Sequence, residues 1–436
     1  MQLDYINIEN FRPFKHLDFD LHPKMNVFIG LNGAGKTAIL DCIAICFIPF
    51  ISKLSKVNLF PRENPLTLKD TDIHIGTEKL NINAYINYNT ENACKWWVSK
   101  EFGSNRNLNN FEYLNDYIKK LLNSLVENPT TNLPIISYYS TSRMNFDNTF
   151  KVNSNRSKYE YNQFLAYNKS LFTGLNSFND FIIWFEDEEG YEDKMRLDKD
   201  HNYRNPKLQT VRKAIETFLN SFETNRIEFK NIRIKKERNE NSVKYQNHIV
   251  SSLVISKNNV DFQLEQLSSG EKMMIMLIVD IARRMSIANP TLTNPLLGEG
   301  IILIDEIDLH LHPQWQREII PALNNTFPNC QFIVTTHSPQ VLSRLKKENI
   351  FIIEDDKIVK NPPHTYGKDT NSILFEIFNT LERPKHIQEK FDMCYKLIEL
   401  EKFDKANEIL TDLSNVLDED DSEIIKVKSL LTFYEQ

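Results

Sequence analysis

Glycine is scarce in this chain, 11 in 436 residues, so any local concentration of it is informative. Cysteine is scarcer still. The five thiols, at 42, 46, 94, 330 and 394, show no metal-ligand spacing. Cys42 and Cys46 sit at i,i+4 on an apolar helix and read as buried thiols, which fits a cytosolic compartment. No run of about 20 apolar residues stands out, so no membrane span is expected. The opening Met1–Tyr5 reads as a strand and not as a signal peptide. Positive charge is not in excess either: 59 acidic against 52 basic residues leave a net charge of −7. That argues against a broad basic nucleic-acid surface, though not against a local one. Coiled-coil heptads and internal repeats are missing as well. What remains is 41% hydrophobic and 25% charged residues, the composition of a globular chain with one large or roughly two to three ordinary domains.

Three of the few glycines fall in one stretch, Phe28 to Leu40. It reads as strand, glycine loop, helix, and fits G-x-x-x-x-G-K-[ST] with Gly30, Gly35, Lys36 and Thr37. Glycines let backbone N–H groups of Asn32, Gly33, Ala34 and Gly35 turn inward around phosphate oxygens. The helix that begins near Lys36 and runs through Ala38 adds its positive N-terminal end. Lys36 is placed to reach the β- and γ-phosphates of a nucleotide, and the Thr37 hydroxyl to hold Mg²⁺.

Around this loop, residues 1–30 read as short strands. Arg12, in the turn Asn10–Phe14, is either a cation approaching the nucleotide or a solvated turn arginine. Strand-like runs return near 80–86 and 95–98, a helix near 111–127, and a buried strand from Leu133 that ends in a polar loop at Arg143. Residues 144–260 are polar, with helical stretches at 178–185 and 208–222 and strands at 232–234 and 249–255. Arg226, Lys230, Arg233, Lys235, Lys236 and Arg238 form a basic cluster, a solvated face or a DNA-backbone contact. Ser268, Ser269 and Gly270 then open a long apolar helix through Met285, as a cap or as a second phosphate clamp. The apolar strand Gly300–Ile304 ends in Asp305 and Glu306. Acids there are costly unless used: Asp305 suits Mg²⁺ and Glu306 suits a general base. His310 and His312 follow without an adjacent third ligand, so a metal there is disfavoured. A second buried strand, 331–336, ends at His337, which could contact the γ-phosphate. From about 381 the pattern is helical: 385–400, 402–417 and 421–434.

These motifs stand in one order: phosphate loop, Leu267–Glu271 before a helix, Asp305–Glu306, His337. In this order they resemble the ATP-binding-cassette ATPases of the SMC, Rad50 and RecF kind, as does the opening Ile8–Phe14. Within them the chain is similar to a soluble AAA-type subgroup, the predicted ATP-binding proteins involved in virulence. The residues that carry this are Tyr138–Arg143, Ala282–Arg284, Gly298–Ile301, Asp305–Pro313 and Phe332–Leu342. The subgroup includes PtuA, the ATPase of Septu anti-phage systems and of some retrons.

The resemblance implies an α/β fold. That is an ABC-ATPase head, a P-loop NTPase with a mixed sheet flanked by helices, carrying a partly helical middle insertion and a C-terminal helical tail. The expected divisions are 1–145 (first lobe), 146–260 (insertion), 261–380 (second lobe) and 381–436 (docking tail). It also implies a head-to-head homodimer or higher oligomer, with ATP sandwiched between Gly30–Thr37 of one subunit and Ser268–Gly270 of the other. Carried over by residue, Lys36 and Thr37 bind phosphate and Mg²⁺, Asp305 supports the ion, Glu306 is the base and His337 senses the γ-phosphate. The glutamine that such ATPases carry after the strand near Ile136 has no counterpart between Ser137 and Ser142. Three functions follow as expectations. One is a cytoplasmic sensor ATPase of a defence complex, controlling a separate HNH-type nuclease, with DNA or retron nucleic acid as a further partner. The second is a RecF-like repair ATPase that binds DNA directly. The third is an ATP-dependent assembly scaffold with little hydrolysis.

Overall fold

The computed structural model describes residues 1–55, 66–86, 93–104, 109–141, 162–171, 177–222, 228–238, 249–359, 361–378, 380, 383–418 and 420–434. They form two compact units, Met1–Tyr366 and Gly367–Gln436.

The first unit opens with β1 (Leu3–Phe11), β2 (Phe14–Asp20) and β3 (Met25–Gly30), followed by the helix α1 (Lys36–Ser55). Next come β4 (Lys79–Ile86), β5 (Cys94–Glu101), α2 (Glu112–Glu127) and β6 (Ile135–Tyr139). The central stretch supplies α3 (Ser177–Asp198), α4 (Pro206–Leu219), β7 (Phe229–Arg238), β8 (Ile249–Lys257) and β9 (Val260–Gln263). The unit continues with α5 (Ser269–Ala288), β10 (Gly300–Ile304), α6 (Pro313–Thr326), β11 (Cys330–Thr335), α7 (Pro339–Leu342), β12 (Ile350–Glu354) and β13 (Lys357–Ile358).

Burial explains which strands go where. Every residue of β3, β10 and β11 is buried, as parallel strands covered on both faces require. They form the centre of a six-stranded sheet in the order β13-β12-β3-β11-β10-β6, parallel except at the β12–β13 edge. In β4 buried and partly exposed residues alternate, and it belongs to an antiparallel sheet, β2-β1-β4-β5. A third, antiparallel sheet joins β7, β8 and β9. All five cysteines are free and buried.

The premise that no run of about 20 apolar residues stands out needs correction. The stretch Lys36–Leu54 is long and apolar enough to cross a membrane. It is instead a core helix: Ile39, Leu40, Ile43, Phe47 and Phe50 of α1 are fully buried in the fold. An apolar helix buried inside a large domain passes the same length test as a span.

The second unit contains α8 (Thr370–Phe378), α9 (Lys385–Glu399), α10 (Phe403–Ser414) and α11 (Ser422–Tyr434). Phe391, Ile398, Ala406, Leu413, Ile424 and Val427 make its core. Arg383 donates two hydrogen bonds of 2.8 Å to the Asp421 carboxylate, a bidentate clamp beside that core. Helix α8, expected at the end of the second lobe, groups with this unit. Leu381 and Glu382 lie outside the described residues.

Candidate functional site

Parallel pairing brings several strand ends to one edge. Ile304 pairs with Val334 and Tyr139, Thr335 with Phe28, and Ile353 with Gly30. The loop after β3, the acids after β10 and the histidine after β11 therefore emerge side by side. Crevices outside the carboxyl ends of such strands are where open α/β sheets bind ligands.

Within this edge, Lys36 is buried and its Nζ donates to the carbonyls of Gly30 (3.0 Å) and Leu31 (2.9 Å). Burial lowers its pKa, and Asp305, Glu306 and Asp308 pull the other way. The Thr37 hydroxyl lies 3.0 and 3.1 Å from the two oxygens of Asp305. Asp305 is 1% exposed, and Thr335 Oγ1 donates to it at 2.6 Å. The same Thr335 oxygen accepts the backbone N–H of Glu306 at 2.7 Å. One hydroxyl thus sets both acids. Glu306 has φ +47°, a sparsely populated conformation for a residue with a side chain, of the kind concentrated at working sites. His337 follows at the end of β11. Burial and the neighbouring Lys36 charge lower its pKa against Asp308, Glu306 and Asp305, so its imidazole is neutral at neutral pH. Asp308 anchors the same loop, accepting from Thr336 Oγ1 at 2.5 Å.

The glycines are demanded by their neighbours. A Cβ on Gly35, whose φ is +93°, would lie 2.5 Å from the Phe14 ring. The loop therefore rests on the β1–β2 turn. A Cβ on Gly30 would meet the Ile353 carbonyl at 2.6 Å. Asn32, Gly33 and Thr37 are exposed, while Ala34 and Gly35 are half-buried and Ala38 is buried. Thr37 and Asp305 are hard oxygen donors in contact, the donor chemistry that Mg²⁺ takes while keeping waters and phosphate oxygens for its other positions.

Arg12 has specific company. Its guanidinium contacts Asp41 at 2.6 Å and Asp72 at 3.0 Å. Burial lowers its pKa, but the two carboxylates outweigh that and raise it. Asp41, one turn into α1, also accepts from Tyr138 Oη at 2.8 Å. Sequence reading missed Asp41 and Asp72, and held Asp308 and Thr335 only inside the quoted Asp305–Pro313 and Phe332–Leu342 motifs, with no role of their own. Tyr138 was visible only within the quoted Tyr138–Arg143 motif, whose Ser142 and Arg143 lie outside the described residues.

Ser268 and Gly270 occupy a second place. Ser268 caps α5 in a reciprocal box: its N–H and Oγ meet Glu271 Oε2 at 2.9 and 2.7 Å, and its Oγ accepts the Glu271 N–H at 3.3 Å. Lys257 of β8 holds the other Glu271 oxygen at 2.7 Å. Gly270 packs against the loop after the acids, where a Cβ would meet the His310 carbonyl at 2.7 Å. Ser268 and Ser269 face solvent. The bonds described for Ser268 stay at its own helix start, so the structure does not join it to Gly30–Thr37 of the same chain. His312 caps α6, its Nδ1 accepting from the Gln314 N–H at 3.4 Å.

Three of the six cations in the basic cluster are paired. Lys230 pairs with Glu228 at 3.1 Å, Lys236 with Glu186 at 3.0 Å, and Arg233 with Asp261. Arg226 lies outside the described residues.

The model for the family described as AAA domain, putative AbiEii toxin, Type IV TA system matches residues 25–343. Over 472 aligned residues the chain is 31% identical to "Retron Ec83 probable ATPase" of Escherichia coli, covering 97% of this chain and 85% of that protein. It is 35% identical over 142 residues to "Septu protein PtuA" of Bacillus mycoides (strain KBAB4), covering 31% of this chain and 20% of that protein. Among solved structures, an Smc head bound to the C-terminal winged-helix domain of ScpA aligns with a TM-score of 0.46 and 15% identity, over 82% of this chain and 98% of that one.

Proposed function

We propose that this chain, which belongs to the family described as AAA domain, putative AbiEii toxin, Type IV TA system, is an ABC-type ATPase of anti-phage defence that hydrolyses ATP to ADP and phosphate to regulate a separate effector. The observation that carries the reading is the gathering of Lys36, Thr37, Asp305, Glu306 and His337 at one sheet edge, with Thr335 bonded to both acids.

In this reading Lys36 leaves the carbonyls of Gly30 and Leu31 for the β- and γ-phosphates, while the N–H groups of Asn32 to Ala38 cradle them. Thr37 and Asp305 would hold Mg²⁺, which neutralises phosphate charge. Glu306 orients the attacking water and accepts its proton. Neutral His337 donates an N–H to the γ-phosphate oxygens. Ser268–Gly270 of a second copy closes over the nucleotide, so turnover requires a homodimer. Arg12, held by Asp41 and Asp72, steadies the turn beneath the loop and approaches the nucleotide from there. The helical unit from Gly367 onward docks the partner, a separate nuclease of HNH type, in the cytoplasm.

Steady-state ATPase assays with Glu306→Gln test this. Turnover falls by about 100-fold or more, ATP binding persists, and an ATP-dependent dimer accumulates on size-exclusion chromatography. Turnover within twofold of the parent chain would overturn the enzymatic reading and leave ATP as an assembly ligand. Co-purification of a nuclease with the full chain, lost on removal of 383–436, tests the docking role. Recovery of the ATPase dimer alone, with DNA-stimulated activity, would refute it.

A further inference from the structure

Two adjoining clefts share the wall of α4, one closed by α3 and β7 and the other by α3 and the segment after α5. The smaller, of about 510 Å³, is lined by Arg196, Arg204, Arg212, Lys213 and Arg233 against one carboxylate, Glu216. In a chain of net charge −7 this is a local inversion of sign. Three of the cations are partnered: Arg196 with Glu192 at 3.0 Å, Arg212 with Glu192 at 3.2 Å and Arg233 with Asp261. Arg204 and Lys213 are exposed, and among the described residues neither has a carboxylate partner.

The larger cleft, of about 830 Å³, shares Arg204, Gln209 and Lys213 with the first and continues to Tyr191 and Tyr203. These rings meet edge to face at 6.3 Å, and Tyr191 is 50% exposed. Of the two acids on this wall, Glu188 is bound by Lys207 and by Asn205 Nδ2, each at 2.6 Å. A free cation pair thus sits between a cationic trough and an open aromatic wall. A lone phosphate has no use for the aromatic wall, and an acidic peptide none for flat apolar rings. A duplex needs a broad basic face, which β7, with Lys230, Arg233 and Lys236 paired, does not offer. A polyanion whose charges alternate with flat aromatic rings uses both clefts at once.

We propose that these clefts form a binding site for single-stranded nucleic acid, with backbone phosphates on Arg204 and Lys213 and bases against Tyr203 and Tyr191. The site touches the ATPase by a short route. Arg233 lies on β7, which pairs with β8, and Lys257 of β8 holds Glu271 beside the Ser268 cap. Binding does not depend on ATP turnover, so its failure is distinguishable from failure of the proposed activity.

The test is fluorescence anisotropy on the full chain with a labelled 20-mer of deoxythymidine, competed by a duplex of equal length or by polyglutamate. Arg204→Glu with Lys213→Glu weakens binding at least about tenfold and flattens its salt dependence. Tyr203→Ala weakens it about 5- to 100-fold without changing the salt slope. Basal ATPase activity, read in parallel, reports that the variants are folded, and Arg204→Gln with Lys213→Gln serves where the charge reversal is not. Affinity within twofold of the parent in the charge variants, preference for the duplex, or equal competition by polyglutamate would each overturn the proposal.

Discussion

Replacing Asp280 by alanine removes the centre of a buried charge network. Asp280 is 3% exposed and accepts from Arg283 Nη2 at 2.6 Å, Arg284 Nε at 2.7 Å and Tyr139 Oη at 2.9 Å. Arg284, 1% exposed, also donates to the carbonyls of Ala166 and Asn168 at 2.7 and 2.9 Å. Without the carboxylate Arg284 keeps the carbonyls of Ala166 and Asn168, while Arg283 loses the partner described for its guanidinium. Breaking a buried pair in this way costs about 3–5 kcal/mol. For a unit this large, that lowers the melting temperature by roughly 4–7 °C. Burial alone would raise the Asp280 pKa, but Arg284 and Arg283 outweigh it and hold it at about 2. Its folded value lies below its unfolded one, so this stabilisation is full above about pH 4 and fades as pH falls toward 2. The assay is thermal unfolding of the parent chain, Asp280→Ala, Arg284→Ala and the double variant. A coupling energy of about 2 kcal/mol or more is expected between the two positions. An Asp280→Ala cost under about 1 kcal/mol, or additive single effects, would refute the network as a stabilising unit.

Thr335→Val keeps shape but removes the hydroxyl bonded to Asp305 and to the Glu306 N–H. Its kcat should fall by about 10- to 100-fold with KM little changed, measured by steady-state ATPase kinetics. Gly35→Ala should abolish binding of a fluorescent ATP analogue, because its Cβ would lie 2.5 Å from the Phe14 ring and its φ is +93°. Glu189 has its pKa pushed up to about 7 by burial, against the Ile234 N–H and Arg212. Its folded value lies above its unfolded one, so this contribution is present below about pH 4.5 and lost as pH rises through 7. Urea midpoints measured from pH 5 to 8 should therefore decline less steeply in Glu189→Gln. Gly270→Ala would press a methyl to 2.7 Å from the His310 carbonyl. That shifts the start of α5 against the acid loop, and ATP-dependent dimerisation, followed by light scattering, should weaken.

Much of this protein was legible along the chain. The glycine loop after β3 needs a strand, spaced glycines, a lysine and a threonine within a few residues, so local pattern suffices to write it. The apolar run into Asp305 and Glu306 and the serine-capped start of α5 are of the same kind. Buried strands were legible too, because an all-buried parallel strand reads as an unbroken apolar run, whereas α3 runs to Asp198 and not to 185 as expected.

Lateral order in the sheet is different. That β11 lies between β3 and β10, and so delivers Thr335 to both acids and His337 to the neighbourhood of Lys36, is written in no single segment. Pairing between strands is a long-range choice made by the whole core. The same holds for charge. Asp280, Arg283 and Arg284 lie in what reads along the chain as a long apolar helix, and only the packed fold shows them buried together. Lys230, Arg233 and Lys236 look like a basic patch, and only the fold supplies Glu228, Asp261 and Glu186 to cancel it. A side chain's type fixes what it can bind, whereas its environment, set by residues distant in sequence, decides what it does bind.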